Sequence, residues 1–317
     1  MLIQWLYLVL GLAGMLFGAK WLVDGCVRLC RRFGFSEFVV SVIVIGIGTC
    51  LPELFVSFIS GARDLGTLVI SNNVGSNIIN IWGILGIGAM LWPISMSGRR
   101  QSASDRHLAD LAFMCAASVA LAVMVWLGTI GRIEGLILFG ILFAYLWYVR
   151  QRGTGENHPA ANLRLTVSRA VWRMMLLIII GILALYVGSE VFMDALQKIA
   201  DGHLDQTMMG ILIVAPATAV PELLVTIIAA FRRRPQIAVG NIIGSNFMNI
   251  VLVISTGALI IDLPVTPHIA NFDIVVMLAA TAMLCFDLLY WKKISRAKGA
   301  LYLLLLAAYL YVAVVMG

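Results

Sequence analysis

The sequence predicts an all-α polytopic membrane protein of ten transmembrane helices in two inverted-topology repeats of five, with broken helices at spans 2 and 7. Three observations predict it. Apolar runs long enough to cross a bilayer, about 20 residues each, recur along the whole 317-residue chain. Basic residues crowd into alternate loops. A Pro-Glu block followed by a Gly-Ser-Asn block occurs twice, at one constant spacing.

The composition is 62% hydrophobic and 12% charged, with a mean hydropathy of +1.00. A soluble domain carries roughly a quarter of charged residues, and a membrane β-barrel shows short alternating segments in place of continuous runs. The opening MLIQWLYLVL has no basic n-region and no small-residue cleavage site after it, so residues 4–22 read as a retained first span. Further spans fall near 38–60, 67–92, 108–127, 133–149, 174–196, 208–230, 236–260, 272–290 and 300–316. Eighteen of the 22 Lys and Arg lie in the odd-numbered loops, among them Arg28, Arg31 and Arg32 and the run Arg232–Arg234. The even-numbered loops hold only Arg63, Arg132 and Lys198, while Lys20 closes the first span. The odd loops are therefore expected in the cytoplasm and both termini outside, in a plasma (inner) membrane. The net charge of +6 is thus a topology signal and predicts no nucleic-acid partner. The longest loop divides the chain into a first five-span repeat, 1–149, a cytoplasmic linker, 150–173, and a second repeat, 174–317.

The repeat sets GTCLPE and SNNVGSNIIN beside ATAVPE and GNIIGSNFMN. Glu53 and Glu222, Ser76 and Ser245, and Asn80 and Asn249 are each 169 residues apart. Five spans separate the copies, an odd number, so the second half should be inverted relative to the first. Proline removes a backbone donor and clashes with the preceding turn, so Pro52 and Pro221 should interrupt spans 2 and 7. That frees carbonyls at Gly48–Thr49 and Ala217–Thr218, and bare carbonyls at membrane depth must line a cavity or bind something. Oxygen ligands beside Glu53 and Glu222 suit a hard cation such as Ca²⁺ or Na⁺. The bland alternative is a proline kink whose glutamate bonds to a neighbouring helix. Asn72, Ser76 and Asn80, like Asn241, Ser245 and Asn249, form polar stripes at i, i+4, i+8. Such stripes line ion sites or glue membrane helices together, and Gly75 and Gly244 suit the second use.

Over essentially its whole length the sequence resembles the cation/Ca²⁺ exchanger superfamily, in particular its prokaryotic sodium/calcium-exchanger-like members. The likeness rests on GTCLPE with NVGSNIIN and on ATAVPE with NIIGSNFMN. It implies that Glu53 and Glu222, with the backbone oxygens of Thr49 and Thr218, hold Ca²⁺ at the centre. Ser76, Asn80, Ser245 and Asn249 would complete that site. In sodium-coupled members the first-block serines and the second-block serines also help to hold Na⁺. Here Cys50 and Ala219 stand at the first-block serine positions, Ala217 replaces a glycine, and Pro216 is an added breaker. Asn249 stands where some exchangers carry an aspartate, leaving two central carboxylates. The implied function is a secondary antiporter, not an enzyme, exchanging Ca²⁺ for a monovalent cation, with Na⁺ as first choice. Its partners would be inorganic cations and the lipid bilayer, with no cofactor. A proton-coupled antiporter is the alternative, ahead of an intramembrane hydrolase or a passive channel.

The remaining polar residues read more plainly. Glu190 and Asp194, near the outer end of span 6, and Asp24, Asp110 and Asp287 read as solvated helix ends. The four histidines lie in loops or at their edges, none placed as a buried proton carrier. The five cysteines read as free buried thiols, since Cys26 and Cys30 lack the spacing of a redox pair or zinc knuckle.

Overall fold

The structure, a computed structural model, describes residues 2–32, 48–95, 101–153, 169–200, 205–231, 233 and 235–316. Helix α1 (Leu2–Arg32) is followed by the short α2 (Leu51–Ala62), then by α3 (Gly66–Leu91), α4 (Gln101–Trp126), α5 (Arg132–Gly153) and α6 (Arg169–Ala200). Next come α7 (Gln206–Thr218) and α8 (Val220–Phe231), then α9 (235–260), α10 (Ile269–Trp291) and α11 (Arg296–Met316). Among the described residues, eight helices are long and apolar enough to cross a membrane, or nine when the bent pair α7–α8 counts as one span. The protein is thus a multi-pass membrane protein. The first part of the expected span 38–60 lies outside the described residues, and its second part is α2.

The prolines act where backbone chemistry says they must. Pro52 occupies the first turn of α2, where a missing N–H removes no helical bond within that helix. Ala219 (φ −77°, ψ 4°) separates α7 from α8 at a bend of 43°, and Pro221 again falls in the first turn. Pro216 lies inside α7, beside the π-helical turn Gly210–Val214, a local widening of the helix.

Burial ranks the helices. The apolar windows of α3 and α9 are 83% and 78% buried, against 17% for α5 and 28% for α1 and α6, so α3 and α9 form the centre. Partners cross between the two halves of the chain: α4 packs on the first part of α9, and α10 on the first part of α3. Two short ribbons repeat this exchange. β1 (Ile94–Ser95), after α3, pairs antiparallel with β4 (Lys293–Ile294), before α11. β2 (Thr129–Ile130), before α5, pairs with β3 (Leu263–Pro264), after α9.

The long helices α1 and α6 lie outside this centre and pack chiefly on each other, with a second apolar cluster joining them to α2 and α7. At 31 and 32 residues they run to roughly 45 Å, longer than the ~30 Å hydrocarbon layer. Their backbones touch through small residues, as membrane helices do where no water drives association. A Cβ at Gly181 would lie 2.5 Å from the Leu22 nitrogen, and one at Gly188 would lie 2.7 Å from that of Met15. At the end of α2, Arg63 pairs with Glu190 and Asp194 of α6 and donates to Gln197 at 3.0 Å. The two acids are therefore not merely a solvated helix end. They hold α6 to the end of α2.

Asp287 also departs from expectation: it is 6% exposed and takes bonds from Lys298 and from Tyr302, whose hydroxyl lies at 2.8 Å. His268 bonds through Nδ1 to the wholly buried Asp273 at 2.8 Å, and Tyr309 donates to the same carboxylate at 3.0 Å. That histidine sits at the start of α10 with a buried partner that the sequence reading had not singled out.

If backbone contact joins α1 to α6, a side chain at Gly181 must force them apart, at a cost of about 1–3 kcal/mol or more. Gly181→Leu should lower the thermal unfolding midpoint of the detergent-solubilised protein by several degrees. Gly140→Leu, at a position with nothing within 4 Å of an added Cβ, should leave the midpoint unchanged. Equal midpoints for the two variants would refute the contact.

Candidate functional site

The site is built from two short helices and two central ones. Glu53 and Glu222 follow the prolines directly, in the first turns of α2 and α8, where the positive end of a helix dipole favours a carboxylate. Both are wholly buried. Neither oxygen of either carboxylate has a hydrogen-bond partner among the described residues. The surrounding hydroxyls cross between the halves: the Thr218 side chain faces Glu53, while those of Thr49 and Ser245 face Glu222. Thr49 and Ser245 are themselves joined, Oγ1 to Oγ, at 3.0 Å.

The asparagines of α3 and α9 supply the second wall. Asn80 Nδ2 donates to Asn246 Oδ1 at 2.9 Å, and Asn249 Nδ2 donates to Asn77 Oδ1 at 3.2 Å. Asn77 and Asn246 then exchange bonds with each other's backbone: Asn246 Nδ2 to Asn77 O at 3.1 Å and Asn77 Nδ2 to Asn246 O at 3.4 Å. These bonds use the amide nitrogens and leave the oxygens of Asn80 and Asn249 buried without partners. Both asparagines sit at the start of π-helical turns, Ile79–Ile84 and Asn249–Ile254. Such turns shift residues off the i, i+4 register and recur at functional sites.

Six buried oxygens of these four residues thus lack a hydrogen-bond partner among the described residues, four from Glu53 and Glu222 and one each from Asn80 and Asn249, and Asn73 Oδ1 and Asn241 Oδ1 on the same central helices share that state. An acceptor buried without a donor is costly, and a hard cation resolves that cost by accepting electron pairs directly. Among the described residues no group of three or more His, Cys, Asp or Glu is placed to hold a metal. The donor set is therefore two carboxylates with neutral oxygens, which suits an oxygen-seeking cation better than a thiophilic one.

The eight residues expected at the site are buried, but they are not used alike. Ser245 bonds across to Thr49, whereas Ser76 donates to Asn72 on its own helix at 3.4 Å. The Thr218 hydroxyl donates to Val214 O at 3.1 Å. Cys50 directs its thiol to the Ser245 carbonyl at 3.8 Å, and Ala219 is buried at the bend. Sequence reasoning passed over Asn77 and Asn246. Their signal was present, since each is the last residue of a Gly-Ser-Asn repeated 169 residues apart.

Comparison with known proteins agrees with this architecture. The sequence model of the family described as sodium/calcium exchanger protein aligns with residues 3–150 and 173–315. An uncharacterized membrane protein of Methanocaldococcus jannaschii is 31% identical over 303 residues, covering 94% of this chain and 94% of its own length. The sodium/calcium exchanger MaX1 of Methanosarcina acetivorans is 26% identical over 351 residues, 98% of each chain. Among solved structures, the sodium-calcium exchanger NCX_Mj soaked with 10 mM Na⁺ and zero Ca²⁺ superimposes with a TM-score of 0.67 at 30% identity. That match covers 97% of this chain and 98% of the other. With a family alignment over both halves and likeness to such relatives along nearly the whole length, the chain belongs to the sodium/calcium exchanger protein family.

Proposed function

We propose that this protein is a secondary antiporter that exchanges Ca²⁺ for a monovalent cation, Na⁺ in the first instance, by alternating access. The observation that carries the reading is the pair of buried carboxylates, Glu53 and Glu222, whose oxygens make no hydrogen bond among the described residues. Left empty and ionised at membrane depth, the pair would cost several kcal/mol, so reorientation is favoured only with the site loaded. One Ca²⁺, or two monovalent cations, neutralises it. That requirement converts a binding site into an exchanger, where a channel would need no counter-ion. Thr49, Thr218, Ser76, Asn80, Ser245 and Asn249 join the two glutamates as the site in this reading. The names of MaX1 and NCX_Mj as sodium/calcium exchangers support Na⁺ as the counter-ion.

The accompanying architecture is ten spans in two inverted repeats, 1–149 and 174–317, joined by the cytoplasmic linker 150–173, with spans 2 and 7 broken and both termini outside a plasma (inner) membrane. The reciprocal bonds of Asn77 and Asn246, 169 residues apart, support the duplication. So does the matched exchange of ribbons β1–β4 and β2–β3. Proton coupling is the second reading, favoured by one observation: Cys50 and Ala219 withhold two hydroxyl oxygens that Na⁺ would use.

In reconstituted vesicles, Glu53→Gln and Glu222→Gln should each reduce Ca²⁺ exchange at least ~10-fold, the equivalent of about 1.4 kcal/mol, while the protein stays folded. Wild-type flux in either variant would remove the shared site.

The coupling ion is tested by imposing Na⁺, pH or voltage gradients separately. Na⁺-driven Ca²⁺ flux is expected, with little response to voltage because two monovalent charges balance one Ca²⁺. Cys50→Ser combined with Ala219→Ser should lower the Na⁺ concentration needed for half-maximal exchange. A flux that follows pH alone would transfer the role to protons, and strong voltage dependence would exclude two-for-one exchange.

A further inference from the structure

Cys115 lies in α4 and Cys285 in α10, 170 residues apart in sequence, and their sulfur atoms are 2.9 Å apart. Both thiols are half-buried where α4 meets α10, packed against the apolar core. Neither is therefore the isolated thiol that the sequence suggests. Their helices hold strategic positions. α4 packs on the first part of α9, which carries Asn241, Ser245 and Asn246, and α10 packs on the first part of α3, which carries Asn72, Ser76 and Asn77. α4 and α10 also pack on each other, so a bond between them would close a belt of four helices, α4–α9–α3–α10, one end anchored in each half. The α1–α6 pair contains neither of these cysteines and would lie outside the belt.

We propose that Cys115 and Cys285 are a redox modification site, a thiol pair that peroxide converts to a disulfide stapling the two halves around the ion site. Hydrogen peroxide is uncharged and reaches half-buried thiols at a helix surface. One sulfur attacks a peroxide oxygen, the O–O bond breaks, and a sulfenic acid and water result. The second sulfur then attacks the sulfenic sulfur, an S–S bond forms, and the hydroxyl leaves with the thiol proton as a second water. Two thiols lose two electrons in all, and one peroxide gains them. Cys50, 1% exposed and turned to the Ser245 carbonyl, is sheltered from this chemistry. The staple removes conformations from the unfolded chain over a very long loop, so the oxidised protein should be the more stable form.

The test uses full-length protein in lipid vesicles, treated with hydrogen peroxide, denatured, and counted with a maleimide mass tag. The reduced chain should carry five tags and the oxidised chain three, with five restored by dithiothreitol. Peptide mass spectrometry should find the segments holding Cys115 and Cys285 joined. Cys115→Ser and Cys285→Ser should each carry four tags before and after peroxide, which separates this pair from Cys26 and Cys30. The thermal midpoint should rise on oxidation in the wild type and not in either variant. Five tags after peroxide, a loss of two tags in either serine variant, a loss that dithiothreitol does not reverse, or a link between other cysteines would each overturn the proposal. An unchanged midpoint with the bond formed would overturn the belt.

Discussion

Two wholly buried carboxylates, whose oxygens make no hydrogen bond among the described residues, constrain everything else in this fold. A buried charge left alone costs several kcal/mol even after relaxation, so the surroundings must either neutralise it or bring it a counter-charge. Nothing basic approaches Glu53 or Glu222 among the contacts described. What approaches instead is oxygen: the hydroxyls of Thr49, Thr218 and Ser245.

Holding that arrangement falls to the bonds between α3 and α9. An asparagine amide can present either its oxygen or its nitrogen, and its neighbours decide which is left open. Asn77 and Asn246 decide the matter by offering acceptors to the nitrogens of Asn249 and Asn80. They are anchored in turn by each other's backbone, so the orientation is set from outside the site. Around this centre the exchanged packing of α4 on α9 and α10 on α3 makes each half depend on the other. The α1–α6 pair stands apart, joined to the rest by an apolar cluster and by the Arg63 ion pairs.

The two halves are related without being identical, and the differences fall at the site. Ser245 reaches across to Thr49 while Ser76 bonds within its own helix. Cys50 bonds to the Ser245 backbone, where Ala219 has nothing to offer. Soft sulfur and a methyl group in place of hydroxyls leave the carboxylates and amide oxygens as the harder ligands present. In the proposed exchange, that donor set would serve a divalent ion more fully than Na⁺. The family likeness alone does not carry that distinction.

The sequence by itself determined that the chain is built of membrane helices, that Pro52 and Pro221 fall in first turns of helices, and that positions 169 residues apart correspond. These are local matters: an apolar run of given length must span, a proline must begin or break a helix, and a duplication is visible as text. Only the tertiary structure decided which groups meet. That Arg63 takes up Glu190 and Asp194, that Asp273 gathers His268 and Tyr309, and that Cys115 touches Cys285 follow from faces of segments far apart in the chain. The i, i+4 stripe placed Asn80 and Asn249 on a polar face, but the π-helical turns and the cross-bonds aimed their oxygens. Helical periodicity says which side of a helix is polar; the neighbouring helix alone sets which atom of an amide is left open.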